Sequence, residues 1–173
     1  MISLFRLTVA VLTAGWLCAR SAAVEVALGE TVFTVPDGFT VERVAGPPLV
    51  DRPITAAFDE QGRLYVADSS GSNDPVKKQL AEKPHRIVRL EDRDGDGRFE
   101  HSVVFADKMM FPEGTLWHDG SLYVAAPPSI WRLSDTDGDG VAYEREAWFE
   151  ATLTGRANGL HAPSPARARC LYW

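Results

Sequence analysis

The chain reads as short apolar runs punctuated by turn signals. Residues 31–35 (TVFTV) are strand-like, and Pro36, Asp37 and Gly38 make a turn. Residues 39–44 (FTVERV) alternate apolar with polar as a half-buried strand does, until Gly46, Pro47 and Pro48 interrupt them. An early lone strand of this kind either completes the last blade of a ring or forms a simple edge. Residues 54–58 (ITAAF) and 64–68 (LYVAD), joined by a turn at 59–62, predict a hairpin. The polar connection 69–84 follows, and within it VKKQLAEK (76–83) is long enough for two helical turns.

The pattern then repeats. IVRLEDRDGDG at 87–97 returns forty-three residues later as IWRLSDTDGDG at 130–140. GRLYVA at 62–67 likewise returns as GSLYVA at 120–125. Strand candidates follow each acidic turn, at 101–105 (HSVVF) and 145–149 (REAWF), placing Phe105 and Trp148 in equivalent positions as core aromatics between neighbouring sheets. Strand-and-turn units at a period in the forties are a signature of propeller blades. The predicted fold is therefore all-β: a partial β-propeller of about two and a half four-stranded antiparallel blades out of a six-bladed ring.

The predicted divisions are a secretory signal peptide at 1–23, N-terminal strands at 24–52, and an incomplete propeller at 53–173. Its blades span 53–107 and 112–150, with a partial third at 157–173. A hydrophobic unpaired last strand is a configuration proteins avoid, so the sequence reads as a truncated N-terminal fragment. The Ala/Pro/Arg stretch at 162–169 replaces an expected turn and reads as a local reading-frame error.

Composition changes the picture in three ways. The first segment carries Arg6, an apolar run at 7–19 too short to span a bilayer, and the small residues Ser21, Ala22 and Ala23, which predict export to the periplasm or beyond. The formal charge of −6 excludes a nucleic-acid footprint. Of two cysteines, Cys18 falls in the signal and Cys170 is left alone, so neither a disulfide framework nor a c-type haem attachment site is present.

The acidic turns carry the candidate chemistry. Calcium takes six to eight oxygen ligands, and carboxylates at alternate positions of a tight loop converge on it, with glycine at the sixth position. The second turn offers Asp135, Asp137, Asp139 and Gly140, with Glu146 at the twelfth position. The first offers Asp92, Asp94 and Asp96, with Glu100 nearby and Val103 at the twelfth position, and so predicts a weaker site. Pro127 and Pro128 and the strand-like lead-in exclude an EF-hand helix. The alternative is a metal-free Asp-Gly turn; three aspartates recurring in register favour structural calcium.

The order of VPDGF (35–39), DEQGRLYV (59–66), RLEDRDGDG (89–97), VFAD (104–107) and AAP (125–127) resembles the N-terminal domain of planctomycete-type membrane-bound dehydrogenases. That domain is similar to the propellers of glucose/sorbosone dehydrogenases that use pyrroloquinoline quinone. The resemblance covers roughly 31–161. It implies oxidation of a sugar or alcohol by a quinone-type cofactor in the full-length protein, with an electron-accepting cytochrome c on another domain or chain and membrane association through other regions. It also implies a histidine base and cations facing the quinone; the candidates here are His161 and Arg156, although a structural histidine fits the same residues. This chain alone is expected to be inactive. The alternative is a non-enzymatic calcium-binding propeller that serves extracellular binding.

Overall fold

A computed structural model describes residues 23–150, 164–165 and 171–172. The chain divides into two units at Glu42 and Arg43. In the first, β1 (Ala23–Leu28) pairs antiparallel with β2 (Thr31–Pro36) through a turn that Gly29 enters at φ +64°. That φ is open to glycine at little steric cost.

The second unit is built on two open four-stranded antiparallel meanders. The first sheet is β3 (Pro53–Phe58), β4 (Leu64–Asp68), β5 (His85–Glu91) and β6 (His101–Met109), paired in sequence order, with α1 (Val76–Glu82) between β4 and β5. The second is β7 (Gly114–His118), β8 (Ser121–Ala126), β9 (Ser129–Ser134) and β10 (Glu144–Glu150), again in sequence order. A two-residue ladder joins β11 (Ser164–Pro165) to β12 (Leu171–Tyr172). The sheets are all-β and antiparallel, as the alternation of apolar runs and turns predicts. No helix among the described residues is long and apolar enough to cross a membrane.

The core lies between the two four-stranded sheets. β8 is buried along its whole length because both of its faces are covered, which explains the unbroken apolar run LYVAA. Phe105 of β6, fully buried, meets Tyr65 of β4 edge-on at 4.8 Å, and Tyr65 stacks on Trp117 of β7 at 4.9 Å. This aromatic file crosses from one sheet to the other; burying each such ring contributes about 1.5–3 kcal/mol. Burial also pushes the Tyr65 phenol up to about 12. Backbone bonds reinforce the stacking, since the Ala142 amide donates to the Phe105 carbonyl at 2.8 Å. The equivalent residue of the first sheet, Phe99, donates to the Val44 carbonyl at 2.9 Å.

Most predicted strands lie where the alternation placed them, with three departures. Residues 39–44 form no strand: Gly38 at φ +86° turns the chain out of the β1–β2 ladder, and Phe39 is 68% exposed. β1 begins at Ala23, one residue inside the predicted signal peptide, and forms a strand through its antiparallel pairing with β2. Trp148 sits at the position equivalent to Phe105 but is 39% exposed, meeting Tyr123 edge-on at 5.4 Å. The signal segment and most of the predicted third unit lie outside the described residues.

The excursion after β4 is fastened at its base. Asp68, 1% exposed, accepts from the Asp51 and Arg52 amides and holds Arg86 through Nε and Nη2 at 2.9 and 2.7 Å. Buried His85 accepts from the Ser70 amide at Nδ1 (3.1 Å) and faces Gln79 Oε1 with Nε2 (3.1 Å). These partners fix the neutral tautomer with its proton on Nε2. Burial holds the imidazole below its ordinary range.

Candidate metal centre

Both acidic loops connect the third strand of a sheet to its fourth: β5 to β6 in the first, β9 to β10 in the second. Their internal hydrogen bonds correspond residue by residue. Asp92 accepts from the Gly95 amide at 2.7 Å and the Gly97 amide at 2.9 Å; Asp135 accepts from Gly138 and Gly140 at the same distances. Asp94 caps Asp96 and Asp137 caps Asp139, each at 3.3 Å. Gly97 at φ +88° and Gly140 at φ +97° make the sharp turn in the left-handed region, where a side chain would be strained. The strands that lead into each loop replace the helix that an EF-hand would need.

Each loop gathers three carboxylates whose oxygens lie within 4.8 Å of one another: Asp92, Asp94 and Glu100 in the first; Asp135, Asp137 and Asp139 in the second. These hard oxygen donors suit calcium. Two predicted ligands are not in these groups. Asp96 caps the Arg98 amide at 2.8 Å. Glu146 lies in β10 opposite Arg132, its Oε2 3.5 Å from the guanidinium Nε. The twelfth position of the second loop is thus drawn into a cross-strand pair. Glu100, just before β6, reaches back to accept from the Arg93 amide at 2.7 Å. The sequence ranked the second loop stronger on Glu146; in the structure each loop has three carboxylates. His161 and Arg156, the residues that the resemblance implies for catalysis, lie outside the described residues.

A guanidinium that the sequence reading passed over joins the second loop to the first sheet. Arg89 of β5 is 5% exposed; its Nη1 lies 3.2 Å from Asp135 Oδ2 and its Nη2 2.6 Å from Glu91 Oε1. Its buried Nε has no partner. Burial pushes the Glu91 carboxyl up, but the Arg93 and Arg89 guanidiniums outweigh it and hold the group below its ordinary range. At the outer end of the loop, the Tyr143 hydroxyl donates to Asp139 Oδ2 at 3.1 Å, and this bond raises the phenol's pKa. The signal for Arg89 was present: an arginine inside an apolar strand, repeated as Arg132, has to find a partner on burial.

A family model described as a domain of unknown function, DUF7133, matches residues 27–165. The chain belongs to the DUF7133 family. No curated protein and no solved structure matches it. The match takes in both four-stranded sheets, both acidic loops and Arg89, so this metal-type centre lies wholly within the DUF7133 domain.

Proposed function

We propose that this DUF7133 domain is part of a calcium-stabilised β-propeller of an exported quinone-dependent sugar or alcohol dehydrogenase. The observation that carries the reading is the matched pair of acidic loops, set at the same point of two successive meanders that share a core. Consecutive four-stranded meanders packed face to face are the repeating unit of propellers. Asp92, Asp94 and Glu100 would hold one calcium, and Asp135, Asp137 and Asp139 another. The ion's chemistry is structural: it neutralises converging carboxylates and pins the outer hairpin of each sheet. The redox half rests on the resemblance, with His161 as base and Arg156 facing the quinone.

The second reading, a non-enzymatic binding module, is favoured by the histidines of the described residues. His85 is enclosed by Gln79 and Ser70, His101 Nδ1 lies 3.4 Å from Glu91, and His118 packs near Tyr123 with ring centroids 6.4 Å apart. His85, buried and hydrogen-bonded at both ring nitrogens, is held as a structural residue.

Two experiments divide the proposal. Calcium should raise the melting temperature of the chain, and Asp137→Ala should remove the part due to the second loop, because an ion that binds only the native state stabilises it by mass action. Wild-type protein indifferent to both calcium and chelator would remove the calcium reading. Dye reduction by the full-length protein, supplied with pyrroloquinoline quinone and calcium, tests the rest. Failure with every aldose and alcohol would leave the binding module.

A further inference from the structure

A cleft of about 260 Å³ between the two sheets is lined by Lys83, Lys108, Met109, Trp131 and Arg145, and it uses no residue of the acidic loops. Its cations sit on an otherwise acidic chain. Lys83 and Lys108 both have left-handed backbone, at φ +47° and +52°. Each occupies a position where glycine is the residue of least strain. Lys83 caps α1, its amide donating to the Gln79 carbonyl at 2.7 Å, and Lys108 stands where the β5–β6 register shifts between His85 and Ile87. A strained, cationic choice made twice at one cleft is the kind of outlier from which function is inferred.

Both lysines are exposed where they line the cleft. Neither lysine forms an ion pair with a described residue. Arg145 is held rigidly: Nε donates to the Ala142 carbonyl at 3.1 Å, Nη1 to the Asp107 carbonyl at 2.9 Å, and Nη2 to Asp107 Oδ1 at 3.1 Å. Asp107 balances Arg145, so the two ammonium charges remain. The apolar surface comes from Met109, 4% exposed, and from Trp131, half-buried against the core. A tryptophan and two lysines lining one cleft suit a flat apolar body carrying an oxyanion, whose ring stacks while its charge is met by hydrogen-bonded cations.

We propose that this cleft binds a small aromatic carboxylate, with Lys83 and Lys108 receiving the carboxylate and Trp131 and Met109 the ring. The test is calorimetric and NMR titration of the whole chain with benzoate, acetate and inorganic phosphate at low salt. Benzoate should saturate, shift the Trp131 indole signal, and bind at least tenfold more tightly than acetate or phosphate. The double variant Lys83→Gly/Lys108→Gly relieves two left-handed side chains, so it should fold, and it should lose benzoate binding by at least tenfold. Trp131→Leu should weaken benzoate while leaving the weak acetate response unchanged. Equal, unsaturable responses to all three anions would overturn the proposal, as would phosphate binding more tightly than benzoate or an undiminished response in the glycine variant.

Discussion

Replacing Arg89 with methionine removes the cation that ties the second acidic loop to the first sheet while keeping most of the side-chain volume. The side chains of Arg89, Asp135 and Glu91 are only 5%, 10% and 16% exposed, so solvent screens them weakly. Deleting one partner of a buried ionic group leaves the others uncompensated, at a cost of about 3–5 kcal/mol. Glu91 keeps Arg93 at 2.9 Å, which places the expected loss near the lower end of that range. At ~2–4 °C per kcal/mol for a chain of this size, the melting temperature should fall by roughly 6–12 °C. Chemical denaturation in chelator separates this effect from any bound ion. A double-mutant cycle with Asp135→Asn should return a coupling of about 1–3 kcal/mol, since the contact is direct and charged. A loss below ~1 kcal/mol, or a coupling indistinguishable from zero, would refute the argument that this guanidinium holds loop and sheet together. Arg89→Met should also tighten calcium at the second loop, because a positive charge 3.2 Å from Asp135 Oδ2 opposes the ion.

Further outcomes follow from the same geometry. Phe105→Ala should cost about 3–5 kcal/mol, and Trp148→Ala distinctly less by the same urea titration, since the first ring is fully buried and the second 39% exposed. Gly140→Ala should destabilise more than Gly138→Ala: both have positive φ, but only at Gly140 would the added Cβ collide with the Arg89 guanidinium. His85 gives a pH signature. Its folded pKa lies below the ordinary 6.5, so the unfolded chain takes up the proton first. The stability it contributes is present above pH 6.5 and lost as pH falls through the folded value. Melting temperatures across pH 7 to 5 should therefore drop less steeply in His85→Gln than in wild type, and the protection of the Ser70 amide, taken relative to its intrinsic exchange rate, should fall on acidification only in wild type.

The strands of the two meanders were legible because each sheet repeats its apolar runs at a fixed spacing, and periodicity survives without tertiary information. The 39–44 segment was not, since alternation reports a half-buried face only where a neighbouring strand accepts the ladder, and none pairs with it. The carboxylate positions within the loops were readable from spacing. What became of Glu146 was not, because a pairing partner across β9, Arg132, competes for it, and spacing along one strand does not contain that competitor. An arginine within an apolar strand shows that Arg89 needs a partner, but not which one, since Asp135 is forty-six residues away. The partners of His85, Ser70 and Gln79, come from an excursion whose path no local pattern specifies.

The amide just past each acidic loop, on Phe99 or Ala142, bonds a carbonyl of an earlier part of the chain, that of Val44 or of Phe105. A residue inserted in either loop would carry that donor out of reach, so divergence in length has to enter elsewhere. The connection between β4 and β5 is fastened instead through side chains: those of Asp68 and His85 hold its ends, and that of Gln79 ties its helix to His85. Over evolutionary time the acidic loops should keep their length while the 69–84 segment grows, shrinks and acquires new content. New specificities on this scaffold are then expected to arise along one rim of the first sheet, with the stacking of sheet on sheet left untouched.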